Sequence, residues 1–278
     1  MLRLIKAELT KLRKRNSTWI LLSILIAVLL LVIVIIQSEI SSGGEAGALI
    51  ANVSLLNIVV PLALGVISSL GTILAIILLT NSVGSEYGWH TIRTFVLCSE
   101  SRLKMLTAKV IASLIAIVSG MVVAILVAIL AGVVFTASRG LSWDLTFING
   151  HYVFDQLSNF FRILYVILPY ISLGMLFSVL GRSTAAGMGF GLGIYFTEPL
   201  VIALLRGTFG WTSKIPDYLF SANTQVIMSA VQSPFNIRIG PVDAHVPAVA
   251  WAVIVLAIYF VIFTAISFYL FKKRDITA

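Results

Sequence analysis

Trp19-Ile-Leu-Leu-Ser-Ile-Leu-Ile-Ala-Val-Leu-Leu-Leu-Val-Ile-Val-Ile-Ile36 is 18 residues with one hydroxyl and no charge. A helix crossing the hydrocarbon of a bilayer needs about 20 mostly apolar residues, and a buried helix of a soluble domain rarely sustains such a run. Basic residues precede it and Ala46-Gly-Ala48 follows it, as in a secretory leader. Its apolar stretch nevertheless exceeds the about 7–15 residues of a leader's core, so a retained span is expected. Similar runs recur at 55–80, 107–135, 159–180, 183–205 and 248–271. The expected fold is therefore an all-α integral membrane protein with six transmembrane helices. Composition agrees: of 278 residues 59% are hydrophobic and 11% charged, and the mean hydropathy is +1.07, far from a soluble domain's roughly 25% charged. Six spans leave no room for a sizeable soluble domain. The single cysteine, Cys98, excludes an internal disulfide and a multi-cysteine metal site.

The net charge of +8 follows from topology rather than from nucleic-acid binding, because the cations lie beside the apolar runs. With both ends on one side, that side receives fourteen of the nineteen Lys and Arg, among them Arg3, Lys6, Lys11, Arg13, Lys14, Arg15, Arg93, Arg102, Lys104, Lys109 and Arg182. The other side has longer loops but only five, with seven of the eleven acids. Both termini are thus expected in the cytoplasm, with the protein in a cytoplasmic membrane.

Four segments between or at the edges of the spans carry pattern. At 1–17, Leu2, Ile5, Leu9 and Leu12 recur at helical spacing opposite a basic arc, the pattern of a helix lying in the membrane surface among anionic lipid headgroups, or of a simple topology anchor. In the cytoplasmic loop 81–106, Trp89, Ile92, Phe95 and Val96 form an apolar face on a short helix. Such a face suits docking in a groove of a partner protein or packing against the chain's own helix ends. Ser99 is the expected cap of a helix over 100–109 that leads into the third span. The 41-residue loop 207–247 holds partly apolar pieces between prolines, which predicts short helices in the outer leaflet rather than a structureless connection. Residues 151–161 are a second interfacial candidate.

Two features lie within the fifth run. Gly187, Gly189, Gly191 and Gly193 give two overlapping GxxxG spacings, which permit close helix approach within one copy or between two. Glu198 falls about 12 Å from the outer end at 1.5 Å per residue. A carboxylate there needs a partner or water. Arg162 and Arg206 are the available cations, so the residue is read as a structural ion pair, a substrate-facing group or a proton-linked one. No Gly-Lys dipeptide occurs, so a phosphate loop of the Walker type is absent. His-Glu-x-x-His and Gly-x-Ser-x-Gly are absent too, and His90, His151 and His245 all fall in loops. No catalytic residue and no metal ligand is assigned.

The most specific pieces are Leu4-Ile-Lys-Ala-Glu8-Leu-Thr-Lys-Leu-Arg13, Glu86-Tyr87 with Thr91-Ile-Arg93, Ser101-Arg102, Ala108-Lys109, Arg182-Ser-Thr-Ala-Ala186 and Glu198-Pro-Leu200. In them the chain resembles, over essentially its whole length, the permease subunits of type-2 ATP-binding-cassette exporters, the group with peptide-antibiotic immunity and multidrug permeases. It departs from them at His90, where a glycine is usual, and at Cys98-Ser-Glu100, where a proline often precedes the Ser-Arg pair. The resemblance implies an N-terminal elbow helix at 1–17 and a six-helix transmembrane domain at 18–278. It makes the loop over 81–106 a coupling loop, with Glu86, Tyr87, Trp89, His90, Ile92, Arg93 and Phe95 as ATPase contacts, and 207–247 an extracellular gate. It further implies two permease copies forming one export pathway and two separate ATPase subunits that bind ATP and magnesium, this chain having no cofactor of its own. Amphipathic peptides, hydrophobic drugs or lipids are the expected substrates. Glu198, Arg162, Arg206 and the glycine face are candidates for dimer packing or for lining the route. A self-contained secondary transporter or channel is the alternative.

Overall fold

The computed structural model describes residues 1–42, 55–88, 102–138, 148–208, 217–229 and 249–273. Among these the regular structure is helical, with no strand. A short α1 (Leu2–Lys14) turns through extended Arg15 into α2 (Asn16–Ser42). The second path is interrupted: α3 (Leu55–Val66), a π turn (Ile67–Gly71) and α4 (Thr72–Gly88). Then follow α5 (Arg102–Ser138), α6 (Gly150–Gly181), α7 (Thr184–Thr208), the short α8 (Phe220–Ser229) and α9 (Val249–Lys273). Six of these paths are long and apolar enough to cross a membrane, in the six places the sequence predicts. The protein is a multi-pass membrane protein, all-helical in its regular structure among the described residues.

Helices are dictated by the solvent, since no backbone amide or carbonyl can be left unpaired in hydrocarbon. Hydroxyls obey the same rule by bonding back along their own helix: Thr80 Oγ1 donates to the Ile76 carbonyl at 2.7 Å, Thr136 to Gly132 at 2.8 Å and Ser267 to Phe263 at 2.7 Å. At the π turn the Tyr195 hydroxyl, from α7, donates to the Ser69 carbonyl at 3.2 Å.

Helix α6 is the hub. Of its most apolar window 72% is buried, against 17–44% in the other five, and α4, α7 and α9 pack around it. Ile163, Ile167, Ile171 and Met175 are fully enclosed along it.

Boundaries differ from the sequence expectation in three places. Helix α4 runs on to Gly88, because Ser82 and Val83 are buried and Gly84 lies against the backbone of Thr184. The stretch 151–161, expected as a separate interfacial helix, is the start of α6, which the Asn149 side chain caps by accepting from the Tyr152 amide at 2.8 Å. Helix α7 continues to Thr208, into the expected gate loop. Between α6 and α7 the chain reverses at Arg182, in the left-handed region with φ 49°, and the Ser183 hydroxyl accepts from the Ala186 amide at 3.0 Å.

Candidate functional site

Two polar assemblies stand out in this apolar bundle, one at each end. At the end carrying α1, Glu8 occupies the same arc as Ile5 and Leu12 and is buried against α5. Its Oε2 accepts from Lys109 Nζ at 2.9 Å, a residue itself only 4% exposed, and its Oε1 accepts from the half-exposed Lys11 at 2.7 Å. Burial alone pushes the Glu8 carboxyl up, but the two ammonium groups outweigh it and hold the group below its ordinary value. Just past the end of α1, Arg15 Nη1 donates to the Asn81 carbonyl of α4 at 3.1 Å. Helix α1 is therefore tied by charge to α5 and by a guanidinium to α4. Those two helices flank residues 89–101.

The expected contact residues Trp89, His90, Ile92, Arg93 and Phe95 lie outside the described residues. Glu86 and Tyr87, expected in a loop, belong to the last turn of α4, where Tyr87 is half-buried against the core.

At the opposite end, Glu198 on α7 is 7% exposed. Among the described residues it forms no ion pair with Arg162, a half-buried residue on α6. Arg206 lies on the last described turns of α7. The Glu198 carboxylate instead faces the backbone amides of Phe220 and Ser221, without closing a hydrogen bond of normal geometry. These amides open α8, and the first amides of a helix have no partner inside it. A carboxylate there meets unpaired donors and the positive end of the helix dipole together. Aromatic rings enclose the contact: Tyr170 lies 5.1 Å from Tyr195 and 5.0 Å from Phe220, centroid to centroid, and Phe220 lies 5.3 Å from Tyr259. The Tyr259 hydroxyl donates to the Tyr218 carbonyl at 2.9 Å and the Trp251 indole to that of Asp217 at 3.2 Å, so α9 also holds the approach to α8. Ser221 Oγ and Asn223 Oδ1 are buried beside the same helix start without a hydrogen-bond partner among the described residues.

The four glycines divide. A Cβ on Gly187 would overlap Ser178 Oγ and sit 2.9 Å from the Gly174 carbonyl, and one on Gly191 would stand 3.0 Å from Ile76 and 3.2 Å from the Gly174 Cα. Gly187 and Gly191 thus form the seam of α7 with α6 and α4. A Cβ on Gly189 or Gly193 meets nothing within 4 Å. Two residues further along a helix point to the opposite side, so one GxxxG pair is consumed by the fold and the other faces outward.

In the sequence Glu8, Lys109 and Arg15 stand apart, with no pattern that joins them. The one local signal was Glu8 itself, an acid on the apolar arc of a basic helix. Tyr170 and Tyr259 lie within apolar runs, and their spacing carries no signal. Among the described residues no group of three His, Cys, Asp or Glu stands close enough to hold a metal ion.

A curated relative, "Uncharacterized protein YhcI" of Bacillus subtilis (strain 168), is 22% identical over 209 residues, 72% of this chain. The matched region spans 63% of that protein, less than two thirds of its length. A family model described as "Protein of unknown function (DUF2705)" matches residues 49–277, from before the second span to the end of the last, and the chain belongs to that family.

Proposed function

We propose that this chain is the transmembrane permease subunit of an ATP-binding-cassette exporter. Two copies form one pathway through the bacterial cytoplasmic membrane, and two separate ATPase subunits supply the ATP and magnesium site that this chain lacks. The observation that carries the reading is the double tie of α1, through Glu8 to Lys109 on α5 and through Arg15 to Asn81 on α4. A push on residues 89–101 enters both flanking helices at once, and a braced α1 converts it into movement of the bundle rather than local bending. Such a frame serves a protein driven from the membrane surface. At the other end Glu198 holds α8 as part of an outer gate, and the open face with Gly189 and Gly193 is a seam for the second copy. The cargo class is amphipathic peptides, hydrophobic drugs or lipids.

The test is purification of the tagged chain from its native membrane, asking whether an ATPase subunit comes with it. Truncating a buried aromatic anchor costs about 2 kcal/mol or more. Trp89→Ala and Phe95→Ala should therefore lower ATPase retention roughly thirtyfold, with Arg93→Ala milder. Wild type isolated without an ATPase, or full retention in both apolar variants, refutes the docking role. A self-contained secondary transporter draws on the same Glu198, and ion-driven transport by the chain alone in vesicles would establish it instead.

A further inference from the structure

A cavity of about 480 Å³ lies between α1, α2, the π turn, α4 and α5. Its wall is hydrocarbon for most of its extent, with Leu12, Leu25, Leu74 and Ile117 among its lining residues. Apolar cavities stay dry, so water is not the natural occupant, and the volume falls within the about 300–1,000 Å³ of ligand pockets. Only 17% of the apolar window of α2, which forms one wall, is buried, so the neighbours on that side are the acyl chains of the bilayer.

Where α1 meets α2, exposed Arg13 and Trp19 border the cavity, and the Trp19 indole donates to the Arg13 carbonyl at 2.7 Å. Tryptophan favours the depth of the headgroups. The Arg13 guanidinium has no ion-pair partner among the described residues. Glu8, the acid nearest it on α1, is already held by Lys11 and Lys109. Among the described residues no acid is left to meet this exposed guanidinium, and its fork matches a lipid phosphate at the headgroup depth that Trp19 marks. Two further observations mark the void as built. The π turn lines it, through Ile67 and Gly71, and π turns concentrate at functional positions. At Gly120 a Cβ would meet only Leu22 Cδ1 at 3.9 Å, so that glycine holds space open rather than bringing two backbones together.

We infer that this cavity binds one acyl chain of an anionic phospholipid, with its phosphate gripped by Arg13. The lipid fills a space that side chains leave empty and neutralises one of the charges of α1. The site stands whether or not the chain is an exporter.

The test uses the full chain, purified in mild detergent, stripped of lipid, and incubated with mixed micelles of phosphatidylglycerol or of phosphatidylcholine. Native mass spectrometry counts the lipid retained. The expected result is one phosphatidylglycerol per chain, preferred about fivefold over phosphatidylcholine, the factor of one near-surface cation. Arg13→Gln should bring the two lipids level, and Gly120→Phe, which fills the void, should abolish retention of both. Leu130→Phe, at an exposed position of α5 away from the cavity, should behave as wild type and so controls for folding. No retained lipid in wild type, equal retention of both headgroups, or undiminished retention in Gly120→Phe overturns the inference. Loss of a dimer in Gly120→Phe with no change in lipid overturns it too, by assigning the cavity to a second copy of the chain.

Discussion

Breaking the buried pair between Glu8 and Lys109 should release α1 from the bundle, and the sizes of the single and double substitutions are set by burial. Lys109 is 4% exposed and meets Glu8 at 2.9 Å, so Glu8→Gln strands an ammonium in a site that cannot hydrate it. Removing one partner of a buried pair costs about 3–5 kcal/mol, and a site near the membrane surface belongs at the lower end. Lys109→Met is milder, because Lys11 still pairs with the carboxylate at 2.7 Å. Lys11→Met itself should cost under about 1 kcal/mol, since its side chain is half-exposed and water screens the pair. Removing both buried charges, in Glu8→Gln with Lys109→Met, should return docking to within about 1 kcal/mol of wild type. The assay is maleimide labelling of Leu12→Cys, a position 5% exposed, in a Cys98→Ser background. About 3 kcal/mol multiplies the undocked fraction, and with it the labelling rate, roughly a hundredfold. The reasoning is refuted if Glu8→Gln labels no faster than Lys11→Met, or if the double variant labels faster than either buried single.

Three other outcomes follow from the same geometry. The Glu8 carboxyl is held below its ordinary value of 4.5, so its contribution to docking is present above that value and is lost as pH falls through the lower folded value; probed with 2,2′-dithiodipyridine, which still reacts with thiols in acid, Leu12→Cys should stay protected from pH 8 down to 5 and become accessible only in stronger acid. Gly187→Ala should destabilise by about 1–3 kcal/mol through overpacking against Ser178 and Gly174, whereas Gly189→Ala and Gly193→Ala should leave the thermal midpoint in detergent unchanged or raised; equal effects would place both pairs in one environment. Glu198→Lys sets a cation against the amides that open α8 and should lower the thermal midpoint well beyond Glu198→Gln, which retains an oxygen acceptor; wild-type behaviour of both would mean that the carboxylate does not hold α8.

The six membrane-crossing paths were legible because hydrocarbon enforces continuous apolar helices, and a run such as 19–36 has no other stable use. The amphipathic α1 was legible for the same reason, its period being local. What could not be read was every choice made between distant elements. Glu8 and Lys109 are 101 residues apart, and no periodicity links them. The glycine spacing shows two pairs on opposite sides of α7, but which side meets Gly174 and Ile76 is decided by neighbours. Asn81, Ser82 and Ser85 read as loop on polarity alone. They are helical because Ser82 and Val83 are covered and Gly84 lies against the backbone of Thr184. The apolar face expected of Trp89, Ile92 and Phe95, with Arg93 beside it, lies outside the described residues.

The π turn at Ile67–Gly71 gives the second path a change of phase. One extra residue in a helix rotates everything after it by about 100° relative to an uninterrupted spiral. The two halves obey different neighbours accordingly: α3 packs on α5, while α4 packs on α6 and α7. A single unbroken helix would have to offer one stripe to both sets of partners. Deleting one residue from the turn would realign the stripe, and in doing so would swing Asn81 away from Arg15 and Gly84 away from Thr184. The extra residue is a fixed angular offset between the half of the path nearer α8 and the half that carries the ties to α1.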